Sequence, residues 1–242
     1  MSASPHSGPE QACNARAILQ AGVNFANAAS PSPSSFDKRQ AGKLITRCTI
    51  PNTVGMMSFC TALTSFISGS KAIVDTLKAN NASATFFYNG NNYGCIYNEG
   101  PAGRVKYAYD GGMHIASHTW SHRDLPSMDR ATSYGSYNDV VVDVSRQRGQ
   151  AVVPWDFDSE DSRGATPEKS IQIYQDAINE HPTEIMALNH ETYATTAKQI
   201  MPAILPKLNA AGYRVVDVAT CLGMPKYQRV VAPSQRDSTW KC

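Results

Sequence analysis

The sequence predicts an α/β fold: a parallel sheet covered by helices, with an α/β barrel as its natural closure. Three observations predict it. Strand-like and helix-like segments alternate from Lys43 onward. The strand-like segments are apolar, as strands covered on both faces must be. The unusual polar residues gather at the ends of those strands, where such barrels place their chemistry.

The elements follow in order. Residues 1–42 read as a disordered or pro-peptide-like tail, with "ASPSPSS" at 29–35 and a Lys38-Arg39 pair that is either a processing site or simply solvated. In "SKAIVDTLKANN" (70–81) the side chains of Ile73, Val74 and Leu77 share one helical face. "ATFFYNG" (84–90) is a strand ending in a turn, "GRVKYAYDGG" a helix stopped by glycines, and "MHIASH" (113–118) the next strand. "SYNDVVVDVSRQRG" is a helix with Ser136 as N-cap and Gly149 at its end. "QAVVPWDFD" (150–158) is a strand. "TPEKSIQIYQDAINEH" opens with Thr166 as cap and Pro167 in the first turn, where the missing N–H costs nothing. "EIMALNHE", "TAKQIMPAILPKLNAAG" and "YRVVDVAT" complete the series, and residues 228–242 form a C-terminal tail.

With 242 residues, 42% of them apolar and 17% charged, the chain has an ordinary globular composition and can bury one sizeable core. A net charge of +2 gives no reason to expect nucleic acid or an anionic membrane as partner. No apolar run approaches a membrane span, and no basic start followed by an apolar core marks a secretory signal. Six cysteines are too few for a disulfide scaffold, and none forms a Cys-x-x-Cys pair. On spacing alone, Cys48 and Cys221 are as readily buried thiols as a bridge. Asn81-Ala82-Ser83 is a glycosylation sequon, a triplet common by chance.

The candidate chemistry lies at three strand ends. His118 and His122 close "MHIASH"; Asp156, Asp158 and Asp161 close "QAVVPWDFD"; His190 closes "EIMALNH". A helical turn after the strand would aim the imidazoles of His118 and His122 at one cation. His114, at the same interval but within the strand, reads as structural. His190 is either a core histidine or a general acid, with Asp158 or Asp161 orienting it as the buried carboxylate of a catalytic triad does.

The segments "ATFFYNGNNYG", "IASHTWSH", "YGSYND", "WDFDS", "GAT" and "LNHETYATT", in this order, resemble the polysaccharide deacetylases of carbohydrate esterase family 4, the NodB homology domain, and are most similar to fungal chitin deacetylase-like proteins. The resemblance covers residues 43–227. It implies a distorted (β/α) barrel, secretion or a cell-wall location, and removal of N-acetyl groups from chitin or a related polymer; the chain is expected to be a monomer. It implies zinc, or another divalent metal, on His118 and His122 with an aspartate. His190 becomes the acid, Tyr134 offers its backbone N–H to the oxyanion, and Leu188 with Trp155 through Asp161 lines the acetyl pocket and supports His190. A Cys48–Cys221 bridge is implied too.

The chain departs from the family in three places. The motif "TFDDG", which carries both the catalytic and the metal-binding aspartate, falls within "NTVGMMSFCTALTSFISGSK" (52–71), which holds no carboxylate; one alignment puts Cys60 and Thr61 in their place. Ala131 stands where an arginine belongs. Eleven residues separate His122 from Tyr134, too few for a helix and a strand, so the expected barrel is incomplete, one helix–strand unit short. The expectation is an incomplete metal site and impaired catalysis. Two alternatives stand beside it: a non-catalytic carbohydrate-binding protein stacking Trp120, Tyr134 and Trp155 on sugar rings, and a product lacking segments that a functional form contains.

Overall fold

The computed structural model describes residues 44–60, 67–92, 94–122 and 139–242. Its centre is strand β1 (Thr53–Cys60), whose sequence TVGMMSFC is apolar on both faces. Strand β5 (Glu184–His190) lies along one edge from Thr53 to Phe59. The other edge is shared: β6 (Arg214–Val216) pairs with Thr53–Gly55, and β2 (Thr85–Tyr88) with Met57–Cys60. Beyond β2 comes β3 (His114–Ser117), and beyond β5 the two-residue β4 (Phe157–Asp158). Every pairing is parallel, in the order β3-β2-β1-β5-β4 with β6 beside β1. Among the described residues β3 and β4 do not meet, so the sheet is an open barrel. The stretch 123–138, on which the missing unit was argued, lies outside the described residues.

Alternation along β1 divides the core in two. Val54 and Met56 face the helices, packing with Ile73, Val74 and Leu77 of α1 (Ile67–Ala79) and Ile204, Leu205 and Leu208 of α5 (Met201–Ala210). Met57 and Phe59 face the barrel interior with Cys48, Phe87, Met186, Leu188, Val218 and Cys221. Gly55 shares that inner face. A Cβ there would stand 2.7 and 2.8 Å from the sulfurs of Cys221 and Cys48, so only glycine lets the strand pass.

The remaining helices are α2 (Glu99–Asp110), α3 (Asp139–Gln147), α4 (Pro167–Glu180) and the short α6 (Val218–Cys221). Thr166 caps α4 as its sequence predicts, accepting from the Lys169 N–H at 3.3 Å, with Pro167 first in the helix. Helix α2 starts at Glu99, ahead of the expected "GRVKYAYDGG". The expected strand 150–158 shrinks to Phe157–Asp158 plus a bridge at Val152. Pro154 has no N–H to give the ladder. Asp156 substitutes a side chain, its Oδ1 accepting the Met186 N–H at 2.7 Å. None of the described helices is long and apolar enough to cross a membrane.

Two disulfides tie the ends. Cys48–Cys221 joins the segment before β1 to α6 across 173 residues. Cys95–Cys242, which the sequence reading did not foresee, clasps the last residue to the loop after β2. The expected C-terminal tail has no helix or strand but is pinned: Arg236 donates to the Tyr97 carbonyl at 2.6 Å and the Trp240 ring packs 6.0 Å from that of Tyr97.

Candidate active site

The inward parity of four strands delivers the site. Phe59 pairs in register with His190 on β5 and Phe87 on β2; Phe87 pairs with Ala116 on β3, and His118 lies two residues further on. Period two therefore sends Phe59, Phe87, His118 and His190 to one face at the C-terminal end of the sheet. The Phe59 ring is the hub. Its centroid lies 4.3 Å from His118, 4.8 Å from Phe87, 5.7 Å from Trp155 and 5.8 Å from His190. Leu188, one inward position below His190, is buried in the same cluster.

His118 and His122 are neighbours, their rings 4.7 Å apart at 71°. A helical turn is not what brings them together. Thr119 and His122 both have positive φ (66° and 51°), and the Thr119 hydroxyl accepts the His122 N–H at 3.1 Å. The loop leaving β2 holds this turn. The Asn89 side-chain amide donates to the carbonyls of His118 and Thr119, the Gly90 N–H donates to the Thr119 carbonyl, and the Asn91 N–H to the Trp120 carbonyl. Burial pushes the His118 imidazole down to about 3, and charge on His122 and then on His190 adds to the effect. His118 is thus neutral at ordinary pH, the form that carries a lone pair for a metal. His122 is exposed.

His190 is anchored differently. Its Nδ1 lies 2.8 Å from Asp161 Oδ1, while Asp161 Oδ2 accepts the His190 backbone N–H at 2.7 Å and the Thr196 hydroxyl at 2.8 Å. An ionised carboxylate only accepts, so the Nδ1 proton belongs to this bond and Nε2 is the nitrogen free to exchange one. Asp161 is fully buried and Asp158 is not its equivalent. Asp158 closes a turn through the Glu160 N–H at 2.8 Å and faces Arg163 at 3.8 Å. The orienting aspartate is therefore Asp161.

Of the expected sugar-binding residues, Trp155 reaches the hub edge-on, and its buried indole N–H has no hydrogen-bond partner among the described residues. Trp120 does not reach it. Its ring packs against Gly90, where a Cβ would come within 1.9 Å of the indole, and stays partly exposed. Tyr134, Arg130 and Ala131 lie outside the described residues, as do Thr61 and the side chain of Cys60. His114 lies lower in the barrel, its Nδ1 3.1 Å from the Thr85 hydroxyl and its ring edge-on to Tyr227, and burial lowers it to about 4.

Zinc takes at least three protein ligands in ordinary catalytic sites. Among the described residues no three His, Cys, Asp or Glu side chains converge. The residues described do not fit a complete zinc centre. Sequence reasoning missed Phe59, Asn89 and Thr196, which build the site without doing its chemistry. Only Phe59 left a signal, as the large apolar residue next to last in β1.

The chain is similar to known polysaccharide deacetylases. Residues 67–140 match the polysaccharide deacetylase family. A chitin deacetylase from Pestalotiopsis sp is 29% identical over 82% of this chain and 74% of its own length. The chain spans 47% of a longer relative from Arthroderma benhamiae described as a probable peptidoglycan-N-acetylglucosamine deacetylase. The chitin deacetylase structure from Colletotrichum lindemuthianum superposes with a TM-score of 0.64 at 22% identity, covering 76% of this chain and 93% of that one. A mutant with restored enzymatic activity, made from a carbohydrate esterase family 4 pseudoenzyme, superposes at 0.60 and 18% identity, over 74% of this chain and 71% of that one.

Proposed function

We propose that this chain, a member of the polysaccharide deacetylase family, is a chitin deacetylase-like protein that keeps the groove for an N-acetylated polysaccharide but has lost most or all of the hydrolysis. One observation carries this reading. The only carboxylate bonded to any of the gathered histidines, among the described residues, is Asp161, and it is committed to His190 and Thr196. Among the described residues a divalent ion would meet two imidazoles and no carboxylate, where a His-His-Asp set supplies −1 against its +2. The second missing first-motif aspartate is the family's general base, and losing a general base costs about 10²–10⁴ in rate.

What the chain retains is the other half of the reaction and its binding surface. His190, with Nδ1 fixed by Asp161, has Nε2 available to protonate a leaving amine. Leu188 and Trp155 offer an apolar wall for an acetyl methyl, and the Trp155 N–H is a donor for a sugar or amide oxygen. Two disulfides suit an oxidising, extracellular setting, where a cell-wall polymer would be met. The names of the relatives point to chitin or peptidoglycan as the polymer class.

The test pairs two measurements on chitin oligomers. Acetate release, with and without chelator, is expected to stay at or just above the enzyme-free blank, whereas chelator-sensitive turnover comparable to a complete relative overturns the loss. Calorimetry without metal is expected to register oligomer binding at millimolar ligand. Its absence overturns the retained groove.

A further inference from the structure

We propose that Asn81 carries an N-linked oligosaccharide, on the face of the barrel opposite the histidine site. Asn81-Ala82-Ser83 is the only Asn-x-Ser/Thr triplet in the sequence. A triplet alone is weak; its setting in the fold is what argues for use.

Two adjacent asparagines end helix α1, and the fold treats them differently. Asn80 is consumed: its side-chain amide donates to the Thr76 carbonyl at 2.9 Å and its own carbonyl accepts from Asn209 at 3.1 Å. Asn81 is exposed, with φ of 51°, the left-handed conformation asparagine tolerates at a helix end. Its backbone N–H returns to the Lys78 carbonyl at 3.1 Å, while its side chain makes no hydrogen bond among those of the described residues. A glycan on Asn80 would disturb the bond its side-chain amide makes to the helix end. On Asn81 it displaces nothing. Ser83 completes the triplet from within the fold, exchanging hydrogen bonds with Asp217 through its hydroxyl at 2.9 and 3.2 Å, so the turn that projects Asn81 is anchored.

Position and compartment agree. The turn lies just before Thr85, where β2 begins, whereas the Tyr88 carbonyl at the other end of the same strand accepts the His118 N–H. A glycan at the start of the strand projects away from the groove. The bridges Cys48–Cys221 and Cys95–Cys242, spanning 173 and 147 residues, require an oxidising route, and in eukaryotes that route also holds the glycosyl donor. The donor is a lipid-diphosphate-linked oligosaccharide. Asn81 Nδ2 forms the bond to the anomeric carbon as the bond from that carbon to the diphosphate oxygen breaks. The amide loses one proton and the lipid diphosphate leaves with the bonding pair.

The experiment uses the full chain, directed by a fused leader into the secretory pathway of a yeast host and recovered from cells and medium together. Intact mass is expected to show a ladder spaced by hexose units. An amidase that cleaves the glycosyl–asparagine bond in heavy-oxygen water should collapse the ladder and leave labelled Asp at position 81. Asn81→Gln should abolish the ladder and Asn80→Gln should keep it. Chain recovered with Asn81 unmodified, whether its cysteines are bridged or free, overturns the proposal. So does a ladder that survives Asn81→Gln. None of these readouts depends on catalysis or on sugar binding, so failure here is distinct from failure of the functional reading.

Discussion

At the end of β5, His190 is held by a buried carboxylate through both its ring and its backbone; across the Phe59 ring, His118 and His122 face each other with no carboxylate behind either among the described residues. Both halves are placed by the same parallel sheet, so the difference is not one of fold. It lies in what else each half does. Asp161 also ties Thr196, at the start of the turn leading into α5, to the end of β5, so removing it would loosen the packing of a helix. The stretch 52–71, where the family motif falls, holds no carboxylate, yet β1 within it pairs along both edges and Phe59 packs at the hub. The sheet that places both halves does not need one.

The largest effect expected is repair. Cys60→Asp with Thr61→Asp returns two carboxylates to the sequence positions aligned with the family motif. Acetate release from chitin oligomers should rise at least about 10²-fold over the parent chain. Zinc should then stabilise the variant by about 2.7 kcal/mol at a hundredfold excess over its Kd, and the parent chain far less. Thermal and urea melts with and without zinc measure the second effect. A double variant gaining neither breaks the comparison, because the defect would then lie deeper than two carboxylates.

Next in size is Asp161→Ala. It leaves the His190 N–H, the His190 ring and the Thr196 hydroxyl without their acceptor in a buried place, at a cost of about 2–4 kcal/mol in urea unfolding. Asp161→Asn, which keeps one carbonyl acceptor, should cost less. Asp161→Ala within experimental error of the parent would show that the carboxylate holds only the imidazole.

The sequence made the strand ends legible because polar residues closing apolar runs leave few other places for the chemistry to be. His118, His122, Asp161 and His190 were all named on that ground or by motif, and the Thr166–Pro167 start of α4 followed from capping alone. Other features were hidden because they depend on pairing across long separations. Nothing local says that Cys95 meets Cys242, that Asn89 holds the turn at His118, or that Trp120 packs on Gly90. The short β4 was misjudged for a local reason in plain view: Pro154 sits inside the run read as a strand.

His114, four residues before His118 in the same barrel, sharpens the contrast between structural and functional histidines. Burial lowers it to about 4, against about 6.5 in the unfolded chain, despite the nearby Asp217 charge. Between those values the unfolded state binds the extra proton. Its contribution is therefore complete above pH 6.5 and is lost as pH falls toward 4, by about 3 kcal/mol at most. His114→Gln should flatten this part of the stability–pH profile, measured by urea unfolding at several pH values. An unchanged slope would mean that His114 is solvated in the folded chain.

The smallest effect belongs to His122→Ala, and its smallness is informative. His122 is exposed, its one hydrogen bond is a backbone N–H to the Thr119 hydroxyl, and alanine keeps that N–H. Only the ring contact with His118 is lost. The positive φ of 51° costs alanine no less than histidine, so no strain is relieved. Stability should change by no more than about 0.5 kcal/mol, as at an ordinary surface position. Removing a neighbouring positive charge should also ease protonation of His118, since charge on His122 is the second cause of its low value. Imidazole titration followed by NMR would register that upward movement. A large loss of stability would instead give His122 a structural task like that of Asp161, and the two halves of the site would no longer differ in kind.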